Sequence, residues 1–507
     1  MSRRDNSRSR EHRSSFFETM EGRQMFAGGG LDPSFSLDGK AAVSFGNGVT
    51  AVAKDVAVQA DGKTVVVGEG SIGTGSAFRN YFAVARFNVD GTPDRTFGPP
   101  SRTGRGLRDG KFLTSFSGGG ATRAEAVAVQ PDGRIVVAGQ TMSGGDSAFA
   151  VARYRVDGTL DTSFDGDGKL VIRFENAHAT SIALQHDGKI VVAGGDWNGG
   201  IFSIGDTDFA VARLNPNGSL DRTFDGDGKK VIGFGAHDTV EAVAIDYTGT
   251  SASNANYGKI VLAGDHENLD YRGYAVTRLN TNGSVDRNFN YANSFNHDGK
   301  LIASFDGVTG SMLGGMIIQR DGKIVLAGTS GVMVGGGAQQ FAVARLNSDG
   351  WFDRSFGTRG TVITGFGGSD IGGDVVQSAD GGLIVGGTVN GKLALAGYTA
   401  DGRLNPGFGG GGRVQLYHGD VRYGGEIGLA LAPGRKLVIA GGHGFAAARL
   451  LDNGGSLEFD PTLIGNAIVG IRMFGATAPA KQSATQPTGS RASELFSNSR
   501  VDALMTL

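Results

Sequence analysis

Residues 126–164 read AVAVQPDGRIVVAGQTMSGGDSAFAVARYRVDGTLDTSF, and close variants of this string recur along the chain. The string contains short runs rich in Val, Ile and Ala, with Gly and Asp between them. Such runs, bounded by turn residues, are typical of short β-strands. The DG dipeptides between the runs supply the positive φ that tight turns require. The string therefore predicts antiparallel strands joined by tight turns.

A fourth run, of the type GKxxxSF, follows each DxxF tag, as GKLVIRF does at 168–174. The four run types occur seven times each. The tags that mark the units end at Phe35, Phe97, Phe164, Phe224, Phe289, Phe356 and Phe408. Seven units of four strands predict an all-β fold, a seven-bladed β-propeller of four-stranded antiparallel blades. A linear β-solenoid is the alternative, but it would have shorter coils.

The order of the runs predicts how the ring closes. If the AVAVQ-type strand lines the channel, the GKxxxSF strand is outermost in each blade. The chain begins with such an outer strand at 40–45, and its last blade, at 427–450, has only three runs. The N-terminal strand therefore completes that blade, which removes two exposed sheet edges. The predicted organisation is a leader at 1–30, the propeller at 31–455 and a tail with a linker at 456–507.

An Arg that ends the string AVAR is followed eight residues later by the Asp of the tag. The pairs are Arg86 with Asp94, Arg153 with Asp161, Arg213 with Asp221, Arg278 with Asp286, and Arg345 with Asp353. In the one unit with Gly397 in place of the Arg, Asn405 replaces the Asp. Arg449 has no local Asp, whereas Asp32 is a spare tag Asp at the N-terminus. We therefore predict a structural ion pair between Arg449 and Asp32, with Glu458 as the competing partner.

The composition of the chain argues against several classes of function. The net charge is −2, which argues against nucleic acid as a partner because phosphate binding needs a dense cationic surface. The chain has no Cys, which excludes disulfides, thiolate metal sites and Cys nucleophiles. No apolar run is long enough to predict a membrane-spanning helix. We expect a monomer.

The repeated strings, such as the one at 126–164, resemble those of the delta-60 repeat family of bacterial β-propellers. The resemblance covers roughly residues 31–450 and recurs in all seven units. It implies the propeller fold and a setting in the cell envelope or outside the cell. It implies no reaction.

The N-terminal segment FFETMEGRQMFA, at 16–27, resembles an FExLExRxLLS-like motif of planctomycete surface and exported proteins. Met replaces Leu in this copy, and Ala27 replaces the final Ser. The resemblance implies export or surface attachment. The alternative is a disordered basic leader, because five Arg residues precede the motif within residues 1–15.

Loops between the second and third strands differ most from blade to blade, and we expect them on one face of the disc. They lie at 68–81, 194–208 and 264–274. Binding usually resides in loops on a rigid scaffold, although neutral drift also makes loops vary. The candidate ligand-binding residues are Asp196, Trp197, His178, His237, His266, Tyr271 and Arg272. His178 and His237 are expected in similar loops after the outer strands of successive blades, where they could face each other at one rim.

No catalytic motif is present, and the eight His residues form no HExxH or HxH cluster. The DGDGK strings carry Asp165 with Asp167 and Asp225 with Asp227, and their chemistry is explained by turns. No metal site or other cofactor is predicted, although oxygen-rich Gly turns can bind calcium. The sequence therefore favours a non-enzymatic binding or scaffolding propeller with a protein or glycan on its variable loops. The alternatives are a propeller enzyme acting on polysaccharide, as a lyase or hydrolase, and a calcium-dependent lectin-like binder.

Overall fold

A computed structural model shows the predicted seven-bladed propeller, and every regular element in it is a β-strand. It describes residues 30–451 apart from 75–77, 101–107, 117–120, 144, 198–205, 252, 269–270, 292–296, 304–309, 332–337, 379, 417–426, 435 and 444. The Glu458 alternative, the leader, its export motif and the C-terminal tail lie outside these residues. No helix in the described ranges is long and apolar enough to cross a membrane.

The strands are numbered in chain order, beginning with β1 (Lys40–Ala42). Blade I contains β2 (Val49–Val58), β3 (Thr64–Ile72), β4 (Arg79–Phe87) and β5 (Lys111–Thr114). Blade II contains β6 (Thr122–Val129), β7 (Ile135–Ser143), β8 (Asp146–Tyr154) and β9 (Lys169–Ile172). Blade III contains β10 (Ala177–Leu184), β11 (Ile190–Trp197), β12 (Thr207–Leu214) and β13 (Lys229–Ile232). Blade IV contains β14 (His237–Ile245), β15 (Ile260–Glu267), β16 (Arg272–Leu279) and β17 (Lys300–Ala303). Blade V contains β18 (Ser311–Ile318), β19 (Ile324–Ser330), β20 (Gln340–Leu346) and β21 (Thr361–Thr364). Blade VI contains β22 (Asp370–Gln377), β23 (Leu383–Val389), β24 (Lys392–Tyr398) and β25 (Arg413–Leu416). Blade VII contains β26 (Ile427–Ala432), β27 (Lys436–His443), β28 (Ala446–Leu451) and β1.

The ring closes as the order of runs predicts. The first strand of each blade contacts the first strands of both neighbours, and β26 contacts β2. The outermost strand of blade VII is β1, which pairs antiparallel with β28 from Lys40↔Ala448 to Ala42↔Ala446. Its regular part is shorter than the predicted 40–45 segment. A short pairing of β2 with β27 also joins blades I and VII into one continuous sheet.

The apolar core lies between the blades. The seven largest clusters of buried apolar residues each join one pair of neighbouring blades around the ring. The cluster between blades III and IV, for example, joins Val191 and Phe209 to Val240 and Leu262. Each blade therefore buries its apolar side chains against both neighbours, which holds the strand ends in fixed positions.

The glycine of the second strand, repeated in VVAG, faces a β-bulge in the first strand. In blade III the bulge lies between Ala179 and Ser181. A Cβ added at Gly194 would overlap the carbonyl oxygen of His178, and one at Gly264 would overlap that of Thr239. Only glycine allows this close backbone approach. The repeated glycine therefore marks the position of the bulge, which changes the direction of the side chains that follow it.

Each predicted Arg and Asp is in contact, and the Arg also reaches the next blade. The Arg Nε donates to the Asp Oδ2 over 2.7–2.8 Å in all six pairs, including Arg449 with Asp32, 417 residues apart. The Nη1 group donates to a backbone carbonyl of the following blade, so that Arg449 bonds to Val89 over 2.5 Å. The guanidinium lies over the Phe of its tag, as Arg449 does over Phe35 at 4.6 Å. Each Arg therefore joins neighbouring blades, in addition to the contact within one unit that the eight-residue interval predicts. The Arg, its Asp and the carbonyl of the next blade are called a clamp here.

Blade VI shows why the Arg and the Asp are lost together. A Cβ added at Gly397 would lie 2.6 Å from the ring of Phe408. The phenylalanine of this tag therefore occupies space beside the third strand that the Arg uses in other blades. Asn405 keeps the backbone contact, because its N–H donates to the carbonyl of Gly397 over 2.8 Å.

Buried polar side chains join the first strands of neighbouring blades. Oδ2 of Asp55 in blade I accepts from the N–H of Val127 in blade II over 2.8 Å. Oδ2 of Asp374 in blade VI accepts from the N–H of Leu429 in blade VII over 2.9 Å. Burial raises the pKa of Asp55 to about 7 despite the amide donors. Burial also raises the pKa of Asp374, and the nearby charge of Asp55 adds to that effect.

The two faces of the disc differ. Antiparallel pairing places the described strand ends that flank the segments 68–81, 194–208 and 264–274 on one face, as predicted, and this face is called the loop face here. The DG turns and the DxxF tags lie on the opposite face, called the tag face. The clamps repeat on the tag face, whereas the loop face changes from blade to blade.

Candidate functional site

The residues that break the repeat meet at the loop-face ends of blades III and IV, a region called the III/IV rim here. It comprises the ends of β10, β11, β12, β14, β15 and β16 and the described residues of the loops between them. Register places Asp196 opposite Ala177 in blade III and Glu267 opposite His237 in blade IV. The two blades adjoin here, since a Cβ on Gly195 would lie 3.1 Å from His178 Cε1 and 3.3 Å from Thr239 Cγ2.

A buried pair in blade IV forms one polar contact of the rim. Nδ1 of His266 lies 2.7 Å from Oδ1 of Asp238, and both side chains are buried. Oδ2 of Asp238 accepts from the N–H of Phe234 over 2.7 Å. Since the carboxylate accepts both bonds, Nδ1 of His266 is a donor, and Nε2 is the polar ring atom that remains for other contacts.

The same cross-strand position differs in every other blade. Thr122 and Thr141 occupy it in blade II, with their hydroxyls 2.8 Å apart. Ser311 and Ser330 occupy it in blade V. In blade VI, Asp370 occupies the position of Asp238, opposite Val389, and its Oδ2 accepts from the N–H of Phe366 over 2.5 Å. The aspartate therefore recurs in another blade, and the imidazole opposite it distinguishes blade IV from blade VI.

A second buried carboxyl of blade IV lies next to this pair. Oδ1 of Asp265 accepts from the N–H of Leu313 in blade V over 2.6 Å. Burial raises the pKa of Asp265 to about 7, although the positive charge of Arg272 opposes the rise. Burial likewise raises the pKa of Tyr274, and the charge of Asp265 raises it further. This carboxyl therefore links blades IV and V by a hydrogen bond beneath the rim.

Exposed and half-buried groups surround the buried ones. Arg272 Nη2 and Glu267 Oε2 form an ion pair at 2.8 Å. The ring of Tyr271 lies 6.2 Å from that of His266. The hydroxyl of Tyr271 lies against Gly273, where a Cβ would displace it. These contacts fix the side chains before any ligand arrives.

In blade III, β11 ends with a buried carboxylate and an exposed indole, whose side chains point to opposite faces of the strand. Asp196 is buried, and its Oδ1 accepts from the N–H of Asn176 over 2.9 Å. Trp197 is 37% exposed and is the last residue of β11. The ring of Trp197 is therefore available for apolar contact at the rim.

The structure brings most of the candidate residues together but separates the two histidines. His178 is half-buried opposite Gly195, whereas His237 is exposed opposite Glu267. Because Gly195 corresponds in register to Asp265, the two histidines lie at different positions of their blades. Both histidines follow the outermost strand of the preceding blade, but they are two register positions apart, and the histidine with a carboxylate partner is His266.

Sequence reasoning missed Asp238, Asp265 and Glu267. Asp265 and Glu267 flank His266 in β15, so their proximity was readable from the sequence. Asp238 lies 28 residues from His266, and only the register across the bulge joins them.

Among the described residues, no group of three or more His, Asp or Glu side chains is arranged to hold a metal ion. The DGDGK side chains serve their turns. Asp167 accepts from the N–H of Lys169 and Asp227 from that of Lys229, each over 2.8 Å.

Five segments match the family model described as "Domain of unknown function (DUF5122) beta-propeller": 59–97, 130–164, 185–224, 258–289 and 319–356. These matches support a β-propeller repeat family. No curated protein matches this sequence.

Solved structures with a similar chain path include virginiamycin B lyase from Staphylococcus aureus, with 9% identity and a TM-score of 0.44 over 81% of this chain and 98% of that one. The polysaccharide lyase Uly1 has 13% identity and a TM-score of 0.44 over 79% of this chain and 90% of that one. Drosophila Semaphorin 2a has 8% identity and a TM-score of 0.44 over 84% of this chain and 76% of that one. These similarities are too low to carry an argument about function.

Proposed function

We propose that this protein is a non-enzymatic binding or scaffolding propeller that takes a glycan or protein ligand on its loop face, at the III/IV rim. One observation carries the proposal. Residues that depart from the repeat, among them His266, Asp196 and Trp197, converge at one end of two adjacent blades, where Asp238 and Asn176 hold His266 and Asp196 by hydrogen bonds. Preorganised polar groups beside an exposed aromatic ring are what ligand recognition requires.

The polar contacts favour binding over catalysis. Both oxygens of Asp238 accept hydrogen bonds from the protein, and Glu267 is paired with Arg272. These carboxylates orient neighbouring groups, whereas an acid–base reaction on a polysaccharide needs a carboxyl or imidazole aimed at the bond that breaks. A lyase or hydrolase remains the second reading, because the Asp238–His266 pair resembles the arrangement that orients a general base.

The location proposed for this function is the cell envelope or the outside of the cell. It rests on the delta-60 resemblance of the repeats and on the export-like string at 16–27. Fractionation of cells that express the full chain, compared with a chain in which residues 16–27 are replaced by a Gly/Ser linker, tests this location. Retention of both proteins inside the cell would contradict it.

A glycan and peptide array probed with the purified full chain tests the function, with and without calcium. We expect binding of a glycan or peptide that survives chelation of calcium and is lost in Trp197→Ala. Turnover of a polysaccharide would support the enzyme instead, and binding only with calcium would support the lectin-like alternative. No binding to either class would contradict the proposed function.

A further inference from the structure

We propose that the ligand of the III/IV rim is a neutral, hydroxyl-rich saccharide, and that the rim discriminates against acidic polysaccharides. This inference rests on the proposed binding function and specifies the class of ligand. It follows from which hydrogen-bonding capacity the rim offers, from its charge and from the place of Trp197.

The rim offers mainly acceptors. Nδ1 of His266 donates to Asp238, so Nε2 is the polar ring atom that remains for contact with a ligand hydroxyl. Oδ1 of Asp196 accepts from Asn176, and a carboxylate with one such bond retains further lone pairs. A ligand that matches these groups must supply donors. Sugar hydroxyls do so without bringing a charge.

The charge of the rim opposes anions. Its described residues include the carboxyl groups of Asp196, Asp206, Asp208, Asp238 and Glu267, and below them Asp265, whose pKa burial raises to about 7, against the guanidinium of Arg272. The ammonium groups of Lys229 and Lys300 lie at its outer edge, where they donate to the carbonyls of Arg173 and Gly233. Arg272 is already paired with Glu267 at 2.8 Å. An acidic polysaccharide would therefore meet like charge with little compensation, and its affinity would suffer.

A basic peptide is disfavoured for a different reason. The carboxylates of Asp196 and Asp238 are buried and already accept protein N–H groups. A Lys ammonium that reached them would lose its hydration for acceptors that are only partly available, which is costly for a charged group. A hydroxyl is much cheaper to desolvate and can share an acceptor that is already in use.

Trp197 supplies the apolar part of the site. Its ring is 37% exposed at the end of β11, directly after Asp196. A pyranose ring presents an apolar face of C–H groups and an edge of hydroxyls. Because successive side chains of a strand point to opposite faces, the ring of Trp197 is on the same side of β11 as Gly195, where an added Cβ would lie 3.3 Å from Thr239 Cγ2 of blade IV. The exposed indole matches the apolar face of the sugar, since flat aromatic rings contribute large contact area at low entropic cost.

The chain offers a direct probe, because Trp197 and Trp351 are its only tryptophans. Trp351 lies in a turn on the tag face, where it is 36% exposed. Full-length Trp351→Phe protein therefore reports on Trp197 alone by fluorescence. Its emission is titrated with the neutral hexasaccharides cellohexaose, xylohexaose and mannohexaose, with hexagalacturonate and with hexalysine.

We expect a saturable change in emission with at least one neutral hexasaccharide. The affinity for hexagalacturonate should be at least about tenfold weaker than for that hexasaccharide. By calorimetry, Trp197→Ala and His266→Ala should weaken binding of that hexasaccharide about tenfold. Trp351→Ala, and Thr141→Ala at the same register in blade II, should change it less than twofold. Because Trp197 is exposed, its variant keeps the test valid even if His266→Ala fails to fold.

The outcomes separate this inference from the proposed function. Preferential binding of hexagalacturonate or hexalysine that depends on Trp197 would support the rim as a binding site. It would contradict a neutral saccharide as the ligand. Saccharide binding unaffected by Trp197→Ala would overturn the site. A full chain that binds none of these probes, and nothing on the array, would contradict both proposals.

Discussion

Removal of the clamp between Arg449 and Asp32 should open the ring at blade VII. Arg449 is buried and makes three kinds of contact: Nε to Oδ2 of Asp32 at 2.7 Å, Nη1 to the carbonyl of Val89 at 2.5 Å, and Nη2 to the hydroxyl of Ser34 at 3.0 Å. Lys436 adds a second cation to Asp32, 2.9 Å from Oδ2. These contacts join both ends of the propeller to blade I.

The magnitude follows from burial. Asp32 and Arg449 are each 3% exposed, so the loss of one partner strands a buried charge and should cost about 3–5 kcal/mol of unfolding free energy. Burial by itself would raise the pKa of Asp32, but hydrogen bonds from Lys436, Ser34 and Arg449 outweigh it and lower that pKa. The contribution of Asp32 is therefore complete above its ordinary pKa of about 3.9 and is lost on acidification below it. Measurements at pH 7 report the full effect.

The assay is urea denaturation of Asp32→Ala, Arg449→Ala and the double variant. Partners in one contact should couple, so the double variant should lose about 1–3 kcal/mol less than the sum of the single variants. Arg345→Ala with Asp353→Ala is the matched local control, with a similar bond of 2.8 Å. Both pairs should show a coupling energy. Only substitution of Asp32 or Arg449 should increase hydrogen exchange in β1 and β28. Additive losses for Asp32 and Arg449 would refute the reasoning.

Three further changes test other parts of the structure. Gly397→Ala should cost about 1–3 kcal/mol by denaturation, because its Cβ would meet Phe408 at 2.6 Å; Gly410→Ala, whose nearest neighbour is 4.0 Å away, should be nearly neutral, and equal effects would be evidence against packing as the cause. Gly194→Ala should lower the thermal midpoint sharply, because its Cβ would overlap the bulge carbonyl of His178; an unchanged midpoint would show that the bulge is not required. Asp55→Asn should flatten the pH dependence of stability between about pH 4 and pH 7. The raised pKa of Asp55, about 7, makes the wild type lose stability as pH rises through that window, by at most roughly 1.4 kcal/mol per pH unit; a variant with the same slope as the wild type would contradict this.

The fold was predictable because its determinants are local and repeated. Tight DG turns, short Val/Ile runs and the interval between Arg and Asp each appear in one unit and recur in the others. The pairing of Arg449 with Asp32 was predictable for the same reason, since five complete Arg and Asp pairs show which partner Arg449 lacks in its own unit. The bond from each Arg to the next blade was not, because a backbone carbonyl leaves no mark on the sequence.

The candidate site was predictable only in part. Trp197, Asp196, His266, Tyr271 and Arg272 stand out as departures from the repeat, and the structure brings them to one rim. The partner of His266 could not be read by counting alternate residues along β14. The bulge between Val240 and Ala242 shifts the register, and this shift places Asp238 opposite His266. Departures from a repeat therefore locate the region, whereas contacts within it depend on strand register.

Ligand binding should be confined to the loop face of blades III and IV. Hydrogen–deuterium exchange of the full chain, alone and saturated with the ligand that binds most tightly on the combined glycan and peptide array, tests it directly. We predict protection at residues 194–197, 206–208, 237–239 and 265–272, with none at the tag-face turns 185–189 and 215–219. Protection at those turns, with the rim unchanged, would contradict the claim.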